Sequence, residues 1–285
     1  MPLPISPVWS LLHLAIKYPG ISAIAALGYV AAPTILELSY LAQNQMRAVA
    51  QSGPVVYEDG PMVALTFDDG FHSVYSTALP ELQDRGMTAT AYITVNLMGS
   101  DSDYINTSQL QEIAEAGWEI GSHGMDHVDL TALPEPALNK QLRDSYNALS
   151  QLVGDVKSFS TPFGEFNGMV LGNIRQTYSS HVNAYGPQVG INDRVGFYAY
   201  NVSRMDTAYL TVEEICDTIS TLDDELYALI FHRIDENTGG IYDISLADFD
   251  QILDCIQQAN VKTVTVSEGV KELLDRSSNL AKENQ

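Results

Sequence analysis

Seven short apolar runs, each followed by a longer amphipathic stretch, recur between residues 62 and 276 of this 285-residue chain. Runs at 62–67, 88–95, 119–122, 157–160, 197–201, 227–232 and 261–265 are short, bounded by polar or turn residues, and read as strands. Stretches at 74–85, 108–116, 135–153, 167–177, 212–222, 246–259 and 267–276 read as helices with one apolar face. Strict alternation of the two predicts an α/β fold of parallel strands joined by helical crossovers. Seven such units imply a distorted (β/α)7-8 barrel. An apolar content of 45% is ample to fill one core of that size.

Polar residues cluster where three of these strands end, and barrel folds carry their chemistry at the C-terminal ends of strands. The first is Thr66-Phe67-Asp68-Asp69-Gly70, and the second is Ser122-His123-Gly124-Met125-Asp126-His127. The third is the run Ala228-Leu229-Ile230-Phe231, which closes on His232. Paired aspartates before a glycine are common in turns, and an isolated pair of histidines is commonly a surface feature. Two carboxylates and three imidazoles at strand ends together point to a metal-assisted hydrolase. The i, i+4 spacing of His123 and His127 lets one ion reach both rings. His13, His72 and His181 read as structural or surface residues.

Residues 61–270 resemble a NodB-type polysaccharide deacetylase domain, carbohydrate esterase family 4. The resemblance rests on residues 66–70, on residues 122–127, on Ser160-Thr161-Pro162-Phe163-Gly164 and on the strand ending at His232, in that order. It implies that Asp69, His123 and His127 hold a divalent metal, zinc first, with cobalt, nickel or manganese also suited to such ligands. Three protein ligands leave the open position that a catalytic zinc needs. The resemblance further implies Asp68 as general base and His232 as general acid. It puts an oxyanion donor at the Phe163 backbone N–H, with Pro162 and Gly164 beside it. The implied substrate is an acetylated polysaccharide or oligosaccharide such as chitin-like, peptidoglycan or xylan polymers, with the acetyl N- or O-linked. Base work by Asp68 at such a metal would make activity rise with pH through the ionisation of that carboxyl and of the metal-bound water.

Two positions depart from the family pattern. Ser160 stands where members often carry an arginine that orients the base, so Asp68 is expected to lack a charged neighbour. The motif in which an Asp precedes a Trp has no clear counterpart in residues 197–206, leaving Asp206 and Asp235 as candidate partners for His232. Two alternatives stay open on the same scaffold: an amidase for small cyclic amides or ureides, and a non-catalytic carbohydrate-binding barrel.

The remaining features bound the setting. Acidic residues number 36 against 14 basic, a net charge of −22, which disfavours nucleic acid and anionic lipid as partners. Residues 18–36 carry no charge and follow Lys17, a pattern that fits a signal peptide or membrane anchor and hence an extracellular, secreted or membrane-anchored protein. A pair of packed helices is the competing reading of that segment. The expected organisation is a hydrophobic N-terminal segment at 1–50, a linker at 51–61, the catalytic domain at 62–276 and a tail at 277–285. Cys216 and Cys255 fall in helices on either side of the strand that ends at His232, where a disulfide and two buried thiols are both compatible with the sequence. The sequons at Asn106 and Asn201 are ascribed to chance.

Overall fold

The alternation of side chains along an extended strand decides which residues reach the centre of this domain and which reach its helices. The computed structural model describes residues 60–184, 190–235 and 240–283. The expected hydrophobic segment at 1–50 and nearly all of the linker lie outside them. The strands are β1 (Met62–Phe67), β2 (Thr90–Ile93), β3 (Glu119–Ser122), β4 (Ser158–Ser160), β5 (Ser180–Val182), β6 (Ile191–Asn192), β7 (Met205–Asp206), β8 (Leu226–Phe231), β9 (Arg233–Ile234), β10 (Asp243–Ile244) and β11 (Lys262–Thr263). The α-helices are α1 (Leu79–Arg85), α2 (Thr107–Glu115), α3 (Glu135–Val153), α4 (Gly168–Ile174), α5 (Val212–Thr221), α6 (Leu246–Gln258) and α7 (Val266–Glu283).

β1 is buried along its whole length and pairs in parallel with β8 over six positions, from Met62 opposite Leu226 to Phe67 opposite Phe231. It also pairs with β11 at Met62 and Val63 and with β2 at Thr66 and Phe67. From β2 the sheet continues in parallel through β3 and β4 to β5. β6 is antiparallel to β8, while β7 runs parallel to it. The sheet therefore curls. The space between β5 and β8 is spanned by residues 202–206, because Val202 bridges to Val182 and β7 pairs with β8.

Inside the curl, Met62, Ala64, Tyr92, Val182, Val202, Leu226 and Ala228 form one apolar layer. Val264, Val266, Val270 and Leu273 join it from β11 and α7, which close the end where β1 begins. Glu119 fixes that closure by accepting bonds from the Ser267 N–H at 2.7 Å and the Ser267 hydroxyl at 2.6 Å. Tyr92 fills the interior at the expense of its neighbour: a Cβ on Gly121 would lie 2.3 Å from the Tyr92 ring, so this strand position must be glycine. The alternate residues Val63, Leu65, Phe67, Leu229 and Phe231 face outward into the larger helix-packed core. Phe67 stacks on Trp118 and on Phe231 at 5.3 Å each, with Phe249 edge-on.

Three sequence expectations need correction. The strand expected at 197–201 does not form; pairing comes later, at the Val202 bridge and β7, while Tyr198 and Tyr200 flank Arg175 at 5.2 and 5.3 Å. The helix expected at 74–85 begins as a π-turn over Val74–Ala78 and becomes α1 only at Leu79, where Pro80 removes one helical donor. α7 runs to Glu283, so the expected tail from 277 is mostly helical. The cysteine question closes on a Cys216–Cys255 disulfide that ties α5 to α6. Among the described residues no helix is long and apolar enough to cross a membrane.

His181 is buried on β5, with Nδ1 3.0 Å from the Tyr200 carbonyl and Nε2 3.2 Å from the Thr161 hydroxyl. Burial outweighs the Tyr200 hydrogen bond and takes its pKa down to about 4 from the usual 6.5. The unfolded chain then binds a proton between those values that the folded chain refuses, so stability falls as pH falls. That gap corresponds to roughly 3 kcal/mol, fully present above pH 6.5 and lost toward pH 4. Urea unfolding at pH 7 and pH 4.5 should show His181→Gln losing much less stability on acidification than the parent. Equal losses would remove His181 from that account.

Candidate active site

Two side chains of the site each follow an aromatic residue that is anchored on the outer face. Phe67 and Phe231 lock into the aromatic cluster, so the next residues, Asp68 and His232, emerge on the inner face at the C-terminal ends of β1 and β8. The Asp68 N–H bonds the Phe231 carbonyl at 2.9 Å and the His123 N–H bonds the Ile93 carbonyl at 2.9 Å, which extends the sheet pairing into the site. Asp69, His127 and Phe163 adopt left-handed φ values of 73°, 47° and 61°, a conformation that non-glycine residues rarely take and that concentrates at functional sites.

Asp69, His123 and His127 converge, with one potential ligand atom from each within 4.8 Å of the others. Asp69 Oδ1 lies 3.5 Å from His123 Nε2 and 3.2 Å from His127 Nε2. That oxygen is buried and has no hydrogen-bond partner among the described residues. A buried, unpaired carboxylate oxygen is costly unless a cation meets it. His123 Nδ1 is 2.8 Å from the Ser160 carbonyl, which makes Nδ1 the protonated nitrogen and turns the Nε2 lone pair toward Asp69. Burial also lowers the His123 pKa, favouring the neutral ring that a metal requires. The three residues thus fit a divalent cation.

Asp68 has the charged partner that the sequence did not reveal. Arg204 donates from Nη1 to Asp68 Oδ1 at 2.8 Å and from Nη2 to Oδ2 at 2.9 Å, with both residues buried. Its other donors are also used, on the Thr66 hydroxyl at 2.9 Å, the Ser160 hydroxyl at 2.7 Å and the Asn183 carbonyl at 3.0 Å. Ser160 in turn donates to Asp68 Oδ2 at 3.1 Å. The expectation of an unpartnered Asp68 is therefore overturned: the guanidinium comes from residue 204, and the small Ser160 leaves room for it.

Burial alone would raise the Asp68 pKa, but Arg204 and then His123 more than reverse this and hold it well below the usual carboxylate range. Asp68 is accordingly ionised at any working pH. This corrects the expectation that its titration shapes the rise of activity with pH.

His232 Nδ1 faces Asp206 Oδ2 at 4.0 Å, too long for a hydrogen bond. Of the two partners considered from sequence, Asp206 is the one beside the ring, while Asp235 bonds the Ile244 carbonyl through its N–H. Burial raises the Asp206 pKa, against which His232 pulls it down. Phe163 sits in the turn Pro162–Gly164, where the Gly164 N–H is held by the Thr161 carbonyl at 3.0 Å. Its ring contacts that of His127 at 4.5 Å, so the turn borders the metal-binding triad.

Residues 56–179, which include the two aspartates, both ligand histidines and the Phe163 turn, match the polysaccharide deacetylase family. The match covers less than half of the chain, and over those residues the domain is similar in sequence to the polysaccharide deacetylases. A chitin deacetylase of Pestalotiopsis sp is 34% identical over 99 residues, 35% of this chain and 33% of that protein. The YxkH protein of Bacillus subtilis is 28% identical over 135 residues, 47% of this chain and 45% of its own length. The chain thus spans less than half the length of these curated relatives. In fold it is similar to the Xyl-CE4 domain of a multidomain xylanase from the hindgut metagenome of Trinervitermes trinervoides. That similarity has a TM-score of 0.55 at 21% identity and covers 76% of this chain and 91% of that domain.

Two predictions test this candidate site. Asp69→Ala, His123→Ala and His127→Ala should each lose stoichiometric zinc in elemental analysis after dialysis, and undiminished zinc in all three would refute the ligand set. Arg204→Gln should cost roughly 3–5 kcal/mol in denaturant unfolding, because it strands a buried carboxylate. Adding Asp68→Asn should recover much of that loss. Strictly additive costs would show that the pair is not coupled.

Proposed function

We propose that this protein hydrolyses acetyl groups, N- or O-linked, from a polysaccharide through a divalent metal held by Asp69, His123 and His127. The observation that carries the reading is the unpaired, buried Asp69 Oδ1 facing two imidazole nitrogens, directly beside an Asp68 that Arg204 keeps ionised. A bound divalent ion, with zinc the first choice and cobalt, nickel or manganese also suited to the ligands, lowers the pKa of water to roughly 7 and polarises an acyl carbonyl.

The chain's own residues supply the rest. Asp68 accepts a hydrogen bond from the attacking water and takes up its proton, while Arg204 and Ser160 fix the direction of the carboxylate. The Phe163 N–H, held in its left-handed turn, is the donor for the developing oxyanion, with Pro162 and Gly164 shaping the turn around it. His232 protonates the departing nitrogen or oxygen, and Asp206 offsets the charge on its ring. Relatives named for chitin and for xylan settings support a polysaccharide substrate. The Cys216–Cys255 disulfide supports an oxidising, extracellular location, in line with the secreted or anchored setting inferred from the N-terminal sequence.

The test is acetate release from acetylated chito-oligosaccharides and acetylated xylan, before and after chelation and zinc restoration. Release should vanish with chelator and return with metal. Asp68→Asn should retain zinc yet lose roughly 10²–10⁴-fold in turnover. A metal-loaded protein that releases no acetate from either polymer would overturn the proposal.

A further inference from the structure

The two histidines of the metal-binding triad are held by different means. His123 directly follows β3; its N–H bonds the Ile93 carbonyl at 2.9 Å and its Nδ1 meets the Ser160 carbonyl at 2.8 Å. His127 comes four residues later, in a loop, at a left-handed φ of 47°. A residue in that conformation stays there only where its surroundings enforce it. The place of the His127 ring therefore depends on what fixes residues 124–126.

Every backbone N–H of that segment is accepted by a side chain. The Gly124 N–H bonds the Ser122 hydroxyl at 3.2 Å. The Met125 and Asp126 N–H groups both point at one atom, Gln141 Oε1, at 2.9 and 3.2 Å. Gln141 Nε2 in turn donates to Asp126 Oδ2 at 2.7 Å, and the Asn96 side-chain amide donates to Asp126 Oδ1. On the other side of the loop, the Val95 and Asn96 N–H groups bond the Gly124 and Met125 carbonyls at 3.1 and 2.9 Å. A single primary amide thus uses both its oxygen and its nitrogen on the segment between two ligands.

Gln141 is itself tied in register to the strand that delivers His123. It lies on α3, whose buried face carries Leu138, Leu142, Ser145 and Leu149. The Ser122 hydroxyl donates to the Ser145 hydroxyl at 2.9 Å, and Ser145 donates to the Gln141 carbonyl at 2.7 Å. Tyr178 fastens the same turn by donating to the Leu142 carbonyl at 2.8 Å. A glutamine suits the position because the two N–H groups need an acceptor and the Asp126 carboxylate needs a donor. A glutamate would keep the acceptor but set a second carboxylate against Asp126.

We propose that Gln141 is the positioning residue for His127, and that it thereby sets the affinity of the triad for a divalent cation. This rests on the metal-site reading above and extends it from the three ligands to the residue that holds one of them in place. Groups that orient a metal ligand without touching the ion commonly govern affinity in this way.

Zinc affinity, measured by titrating the chelator-stripped protein against a chromophoric chelator, reads the effect without turnover. Gln141→Ala removes acceptor and donor together and should weaken zinc binding by about 10- to 100-fold. Gln141→Glu should weaken it as well. Asp126→Asn in the Gln141→Glu background exchanges donor and acceptor and should restore most of the affinity, so that two changes cost less than one. Melting temperatures of Gln141→Ala and the parent should differ more with zinc bound than without it, because the variant loses part of the stabilisation that bound zinc confers. Unchanged zinc affinity in Gln141→Ala, or a Gln141→Glu loss that Asp126→Asn does not relieve, would overturn this inference and leave the ligand set intact. Equal falls in melting temperature with and without zinc would also overturn it, since Gln141 would then serve the fold alone. A parent protein that binds no zinc would sink the metal-site reading itself, and this inference with it.

Discussion

A buried ion pair between Arg204 and Asp68 holds the site to the rest of the fold. The guanidinium directs its donors to residues from β1, from β4, from the loop after β5 and to Asp68. It therefore links the strands whose ends border the candidate site. Taking two charges out of water costs several kcal/mol per ion, and the cost is offset only when geometry is good and the remaining donors are satisfied. Both conditions are met here, with two parallel bonds to the carboxylate and three further bonds elsewhere. Packing residues of equal volume could have been more stable. An ion pair in this position instead fixes the charge and the direction of one carboxylate next to the metal-binding triad.

The second constraint is the pleat. Phe67 and Phe231 face each other across the β1–β8 ladder and stack outward, so their successors must point inward at the same level. A slip of one residue in that register would send Asp68 and His232 to the helix side and bury Phe67 and Phe231 among polar groups. The aromatic cluster with Trp118 and Phe249 therefore does positional work for residues it never touches.

What could be read from sequence follows the strength of local signals. β1, β3 and α3 fall where the apolar pattern put them, at 62–67, 119–122 and 135–153, because each has a continuous run or a long one-sided helix of its own. The convergence of Asp69, His123 and His127 was legible for a related reason, since Asp69 and His123 lie within two residues of the ends of β1 and β3 and His127 follows His123 by four. β5, β6 and β7 were not, because strands of two or three residues owe their existence to pairing partners distant in sequence. Arg204 was missed on a related ground. A motif fixes a position along the chain, whereas Asp68 responds only to a positive charge within hydrogen-bond reach, and β4 and the segment before β7 both border it. Ser160 looked like a loss because the replacing charge arrives from 44 residues further on.

The backbone strain at the site has the same logic. Asp69, His127 and Phe163 each sit in a left-handed conformation that costs of order 1–3 kcal/mol when surroundings must enforce it. Gly70, at φ 85°, lets the chain turn immediately after Asp69, and its N–H returns to the Asp68 carbonyl at 3.0 Å. Gly164, at φ 70°, does the same after Phe163. Strain of this kind is sustained only by a frame that cannot relax, and the frame here is the fully buried β1 with its partners. A looser sheet would let these three residues drift to ordinary φ values. The two imidazole nitrogens and the Asp69 oxygen would then separate, and the site would lose the convergence that suits it to a metal. Rigidity in the core and strain at its rim are in this sense one property of the fold.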